Sequence, residues 1–221
     1  MKPDLGNVII KNKKPGKEEA ALNEKFWDLN KNKQNSMISG AMKVFSRDGF
    51  RHASTDEIVA EAGISKGLLF HYFYSKSGIY GFLAEYSARF ALVELNSAIS
   101  KAGPLPYFEL QRKITSSECA VMRRYPYLFL FLERAGSDNS YENTEDIVSD
   151  TALYNESRSA VLESSILPDT LSAEDAARVS RLLDLARKDT ALRILENGAF
   201  DPEKFSAEMN DLIQFFDKIY S

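Results

Sequence analysis

Between Ser54 and Lys76 the sequence gathers hydroxyl, ammonium, imidazole and phenol groups: Ser54, Thr55, Ser65, Lys66, His71, Tyr72 and Lys76. All of them can donate hydrogen bonds, and the two lysines carry positive charge. Such a set suits anionic oxygens, phosphate above all. It suits bond-breaking poorly. The chain has two histidines, His52 and His71, both in or beside this segment, and one cysteine, Cys119, with no histidine near it in sequence. There is no HExxH, no phosphate-loop glycine pattern and no cysteine cluster with zinc spacing. No catalytic residue, metal or cofactor is therefore expected. Scattered carboxylates leave acid–base catalysis as one rival reading. A helical scaffold without nucleic-acid binding is the other.

The net charge of −4 does not by itself suggest a polyanionic partner. Its distribution is more informative. Residues 1–76 hold 13 Lys/Arg against 9 Asp/Glu, and residues 77–221 hold 15 against 23. A basic end on an acidic body fits a nucleic-acid reader joined to a separate module, although uneven chance placement gives the same pattern. No run of about 18 apolar residues is present, so no membrane span is expected. The N-terminus lacks the apolar core of a secretory signal. With Cys119 alone, a reducing cytoplasmic setting is expected.

These donors need elements to position them. Residues 1–32 read as an arm, flexible at first, with Lys11, Lys13, Lys14 and Lys17 among Pro3, Gly6, Pro15 and Gly16. These lysines either follow a DNA backbone or form a solvated tail. Phe26, Trp27 and Leu29 are expected to pack back onto the first helix. That helix is predicted from about Lys33 to Asp48, because Ile38, Ala41, Met42 and Phe45 share one face, and Gly49 stops it. Ser54 caps a second helix, with Glu57 three residues on as a capping box. Ile58 and Ala62 point inward, and Gly63 supplies a left-handed stop. Ser65 caps a third helix to about Tyr72, with Leu69 and Phe73 facing the core. A long fourth helix opens at Ser75–Ser77. Further helices are predicted over 105–124, 126–136, 141–165, 173–197 and 201–220, punctuated by Pro126, Gly136, Pro168, Gly198 and Pro202. The fold class is all-α, with about nine helices. The domains are 33–78, holding the helix-turn-helix at 54–73, and a larger helical body at 79–221.

Two short helices around a glycine turn form a helix-turn-helix, whose second helix enters the major groove. Ser65, Lys66, Gly67 and Leu68 make the turn that reaches base edges, and Gly67 lets the backbone come close. The run FSRDGFRHASTDEIVAEAGISKGLLFHYFYSK, Phe45 to Lys76, resembles the N-terminal domain of tetracycline-repressor (TetR) family regulators. The AGISKG turn, the HYF triplet and the SK after it carry the resemblance. It implies double-stranded operator DNA as partner. It places phosphate contacts at Ser54, Thr55, His71, Tyr72 and Lys76, and a recognition helix at Ser65 to Leu68. The alternatives are a surface histidine at 71 and a core tyrosine at 72. Three residues depart from the family pattern. Asp56 stands where some members have arginine, Phe70 where tyrosine is common, and Leu68 where a small polar residue is frequent. Leu68 can pack on a thymine methyl, and Asp56 can accept from cytosine N4.

The body carries two further expectations. Val179, Leu182, Leu183, Ala186 and Leu192, then Phe205, Met209, Leu212, Phe216 and Ile219, recur at helical spacing. They form either protomer core or an interface. The resemblance implies a homodimer through these last two helices. It also implies a ligand-responsive repressor with a small-molecule effector among the middle helices. The candidate pocket is Tyr107, Phe108, Phe129 and Phe131, and aromatic stripes are equally the stuff of cores. Arg112, Arg123, Arg124, Glu133 and Arg134 are candidate polar partners or ordinary surface charges.

Overall fold

The computed structural model describes residues 25–99, 104–141 and 144–221. The expected arm up to residue 24, with its four lysines, lies outside the described residues. Within them, nine helices follow a helical turn at 25–27: α1 Lys31–His52, α2 Thr55–Ala62, α3 Lys66–Phe73, α4 Lys76–Ile99, α5 Tyr107–Arg124, α6 Leu128–Ser137, α7 Thr144–Glu163, α8 Ala173–Glu196 and α9 Pro202–Tyr220. The chain is all-α; the one β-type contact among the described residues is a parallel bridge between Pro106 and Ile166.

The helix ends follow side-chain capping. Asn30, Ser54, Ser65, Ser172 and Asp201 each accept a backbone N–H in the first turn of α1, α2, α3, α8 and α9. This satisfies donors that a helix start leaves unpaired. Ser54 bonds the amide of Asp56 rather than that of Glu57, and Glu57 turns toward Arg47 at 3.4 Å. Regular α1 geometry breaks at Gly49, where φ is 69° and ψ 178°. One further turn, ending at His52, carries the chain on.

A first core joins the N-terminal domain to the body. It holds Met37, Ile38, Met42 and Phe45 of α1, Ile58 of α2, Leu69 and Phe73 of α3, and Ile79, Tyr80 and Leu83 of α4, with residues of α5, α6 and α7. Phe26 is fully buried there. It packs against Tyr72, Phe73 and Phe82 rather than only on α1. The Gln34 side chain fixes that segment by donating to the carbonyls of Phe26, Trp27 and Leu29 at 2.8–3.1 Å. Residues 25–30 are therefore part of the domain's packing. A second core joins α5, α8 and α9 through Tyr107, Phe108, Val179, Leu183, Phe205, Met209 and Ile213.

The two parts meet at the Gly49–Phe50 kink. The Asp138 carboxylate, just beyond α6, accepts the Phe50 N–H at 2.6 Å. The Phe50 ring lies 5.1 Å from Tyr80 and 5.0 Å from Tyr141. A β-carbon at Gly49 would fall 2.8 Å from Asp138 Oδ2, so glycine is needed there for space as well as for its positive φ. Desolvation opposes the charge on Asp138, but hydrogen bonds from Ser140 and Phe50 and the nearby Arg134 outweigh it and hold its pKa below the ordinary carboxylate range.

A carboxylate with a lowered pKa in the folded chain stabilises it above the unfolded value, and that contribution fades as pH falls through the folded value. Asp138→Ala should therefore lower stability by about 1–3 kcal/mol at neutral pH, the loss for a hydrogen bond to a charged group. The gap from wild type should close below about pH 4. Urea unfolding at a series of pH values reads both. A gap that stays constant to about pH 3 would contradict this role.

Candidate nucleic-acid interface

Helices α1 and α2 cross at near-contact. A β-carbon at Gly40 would lie 2.8 Å from the Ala62 amide nitrogen, so only glycine permits the approach. Gly63 then turns the chain in left-handed geometry (φ 62°, ψ 39°), and the Ile64 N–H returns to the Val59 carbonyl at 3.0 Å. The Ser65 hydroxyl accepts the Leu68 N–H at 3.2 Å and starts α3. Leu69 and Phe73 anchor α3 in the core.

The opposite side of α3 is open. Ser65, Lys66, Gly67 and His71 are exposed, and Ser54, Thr55, Leu68 and Tyr72 are half-buried. Nothing in the chain lies within 4 Å of where a Gly67 side chain would begin. The protein itself gives no steric reason for glycine there, and glycine is a poor helix former. His71 stands edge-on to Tyr72, with ring centroids 4.8 Å apart, and Tyr72 leans on Phe26 at 5.9 Å. The structure thus brings Ser54, Thr55, Ser65, Lys66, Gly67, His71 and Tyr72 to one end of the molecule.

Lys76 has a different first task. Its ammonium donates to the carbonyls of Ala53 (3.1 Å) and Arg51 (3.3 Å) and stands 4.7 Å above the Phe50 ring. It ties the end of α1 to the start of α4, so a phosphate would have to share it. Tyr74 is a surface residue that sequence reasoning passed over. It caps α3 at φ 53°, unusual outside glycine, and is 59 % exposed. No residue type in the sequence signals that conformation. Gly78 permits the tight α3–α4 corner, since a β-carbon there would collide with the Phe73 carbonyl.

The structure sorts the residues expected at an interface and at a pocket by their burial in the protomer. Val179, Leu183, Phe205 and Met209 are buried in the protomer's own second core, and Ala186, Leu212 and Phe216 are partly buried against it. The apolar residues that reach solvent on α8 and α9 are Leu182, Leu185, Leu192, Phe215 and Ile219. Apolar periodicity alone marks both faces of such helices, so it does not tell the inner from the outer. The aromatic residues behave likewise. Phe131 fills the first core against Phe45 and Tyr80. The Tyr107 hydroxyl is held by the Ala176 carbonyl (2.7 Å) and Ser180 (2.9 Å). Phe108 is buried, and Phe129 lies 5.3 Å from Tyr154. These four pack within the two cores. Two open clefts of about 420 and 450 Å³ lie elsewhere, one beside Arg51, Arg134 and Asp138 and one between α1, α6 and α8.

The polar groups at the heart of the body are ones the sequence did not single out. Glu118, 4 % exposed, meets Arg187 at 2.9 Å and Arg158 at 3.5 Å and accepts from Tyr154 at 3.0 Å. Arg158 makes a two-pronged contact with Asp184 at 2.6 and 2.7 Å, and Arg187 donates to Gln111 at 2.9 Å. Burial disfavours the Arg158 charge, but Glu118 and Asp184 prevail and raise its pKa. The network links α5, α7 and α8. Such buried ion pairs contribute little net stability and cost several kcal/mol when one partner is removed. Burial pushes the Cys119 thiol up to about 11, which keeps it protonated and unreactive at neutral pH. No group of three potential metal ligands occurs among the described residues.

Comparison with known proteins agrees with this arrangement. Residues 37–81 match the family model of bacterial regulatory proteins, tetR family. Among solved structures, the TetR family transcriptional regulator PfmR from Thermus thermophilus has a TM-score of 0.52 and 18 % identity, covering 80 % of this chain and 96 % of that one. A chain from Clostridium perfringens, described as a candidate fatty acid metabolism regulator, gives 0.59 and 18 %, covering 80 % and 96 %. The transcriptional regulator FadR from Bacillus subtilis, solved with stearoyl-CoA, gives 0.54 and 15 %, covering 81 % and 95 %. No curated protein matches the sequence. Residues 37–81 thus match the tetR family model, and the chain as a whole shares the fold of these solved structures.

The open space at Gly67 leads to a paired expectation. Gly67→Ala should raise thermal stability slightly, by up to about 1 kcal/mol from helix propensity. It should weaken DNA binding about tenfold, the equivalent of ~1.4 kcal/mol, because the methyl group projects where the groove must approach. Melting curves and DNA titrations on the same sample read the two effects. Unchanged DNA affinity would move the contact surface away from this turn.

Proposed function

We propose that the protein is a DNA-binding transcriptional repressor that acts as a homodimer on a two-fold operator and is released by a small-molecule effector. The observation that carries this reading is the exposed first turn of α3. Its glycine has no internal purpose, and it is flanked by donors on α2 and α3 suited to phosphate. Ser54, Thr55, His71 and Tyr72 hold the backbone, and Ser65 to Leu68 face the bases. The acidic body keeps the rest of the molecule away from the polyanion. An enzymatic role has little support beside this, since Cys119 is protonated and both histidines lie in the N-terminal domain.

Dimerisation is supported by the outer face of α8 and α9. Leu185 and Phe215 are 61 % and 58 % exposed, and Leu182 and Ile219 on the same two helices also reach solvent. A stripe of this kind needs a partner surface. A second copy supplies one, and two-fold symmetry sets two recognition helices on one side of the duplex. The effector enters through the body. The Bacillus subtilis FadR structure, with stearoyl-CoA, supports a ligand-responsive reading for this fold. A ligand that favours one arrangement of α5, α7 and α8 acts on α4, which packs on α5 and α7 and carries the kink contacts at its start. It shifts the equilibrium only by its differential affinity for the two states. No helix among the described residues is long and apolar enough to cross a membrane, and a cytoplasmic protein suits the reading.

Two measurements test it. Gel-shift titration of the full chain against the DNA upstream of its own gene should give a sequence-selective complex. The affinity should fall steeply with salt, with a log–log slope of about −0.9 per phosphate neutralised. The double substitution Leu185→Glu with Phe215→Glu should turn a dimer into a folded monomer in sedimentation and weaken operator binding. A salt-insensitive complex, or a wild-type monomer, would contradict the corresponding part.

A further inference from the structure

Asp56 is the one recognition-face residue whose charge opposes DNA. Helix α2 carries three carboxylates. Glu57 and Glu61 are drawn to α1, by Arg47 at 3.4 Å and Lys43 at 2.6 Å. Asp56 instead faces α3. Its Oδ1 lies 2.8 Å from the ammonium of Lys66, and the two side chains remain 73 % and 49 % exposed. Asp56 sits in the first turn of α2 and Lys66 in the first turn of α3. An exposed ion pair contributes little to stability, which is a weak reason to hold a carboxylate on this face.

The geometry offers a better one. The pair presents one donor and one acceptor side by side at 2.8 Å. In the major groove a G·C pair shows N7 and O6 acceptors on guanine and the N4 amino donor on cytosine. O6 and N4 are themselves hydrogen-bonded, so they lie at the ordinary spacing of about 2.9 Å. A lysine ammonium on O6 and N7, with a carboxylate on N4, matches donor to acceptor at every point. An A·T pair alternates acceptor, donor, acceptor and methyl. There an ammonium on thymine O4 and a carboxylate on adenine N6 still match, but the ammonium meets the thymine methyl where guanine offers N7, so G·C gains one hydrogen bond over A·T. We propose that Asp56 and Lys66 act as one unit that reads a single G·C base pair in each half-site. The inference rests on the DNA-reading function above and names part of its specificity.

The test is selection of the full chain on a randomised duplex pool, followed by titration of each variant on the selected site and its single-position changes. Wild type should demand G·C at one position of each half-site. Asp56→Ala and Lys66→Ala should each relax that same position by about five- to tenfold, within the range for one good base contact. Asp56→Ala should also tighten binding to random DNA, since a negative charge near the polyanion is gone. Asp56→Asn should move the preference at that position toward A·T, because an amide pairs with adenine N6 and N7. Selective binding in which the two alanine variants relax different positions, or relax none, overturns the paired reading and leaves DNA recognition intact. Wild type without any sequence preference overturns both.

Discussion

At Gly40 helix α1 passes so close to α2 that a single added carbon would meet the Ala62 backbone at 2.8 Å. The shape of the open end of the N-terminal domain follows from that approach. It sets where α2 stops, and Gly63, in the left-handed region, sets the direction in which α3 leaves. With Leu69 and Phe73 buried, α3 has one orientation, and its first turn is forced outward. A helix of eight residues would not hold its shape alone. Here tertiary contact does the holding, and capping by Ser54 and Ser65 only trims the ends.

The same end shares its hydrophobic core with the body, and polar contacts around an aromatic cluster fix the joint at the edge of that core. Phe50 sits among Tyr80, Tyr141 and the Lys76 ammonium, and its N–H goes to Asp138. Tyr86, Tyr125 and Asn35 form a second link of hydroxyl and amide groups between α4, α5 and α1. These contacts are specific in geometry and modest in energy. Under the proposed effector mechanism, that combination suits a joint between two arrangements. The buried charge network in the body has the same character. Glu118, Arg158, Arg187 and Asp184 balance one another's charge while Glu118 Oε2, Arg158 Nε and Arg187 Nε make no hydrogen bond, and a shift of α7 or α8 disturbs all four.

The sequence was most legible where a local rule had one solution. Gly63 between Ala62 and Ile64 had to be a left-handed stop, and Ile38, Ala41, Met42 and Phe45 had to face one core. It was less legible where several residues of one type compete. On α8 and α9 nearly every turn offers leucine or phenylalanine, and only the packed chain shows that Leu183 and Met209 are inside while Leu185 and Phe215 are out. The partners of Lys76, the buried pairing of Glu118 with Arg187 and the conformation of Tyr74 depend on contacts distant in sequence or on turn geometry that many residues could adopt. Asp56 was visible as a misplaced charge, and Lys66 as a candidate contact. Their pairing was not visible, because nine residues, a turn among them, lie between the two.

The central claim is that the first turn of α3 enters the groove while the body stays free of DNA. Amide hydrogen exchange of the full chain, with and without duplex from upstream of its own gene, measures this directly. The account predicts slowed exchange across residues 54–74, strongest at Ser65 to Leu68, with little direct change over α8 and α9. Protection centred on the body, with α3 unaffected, would contradict it.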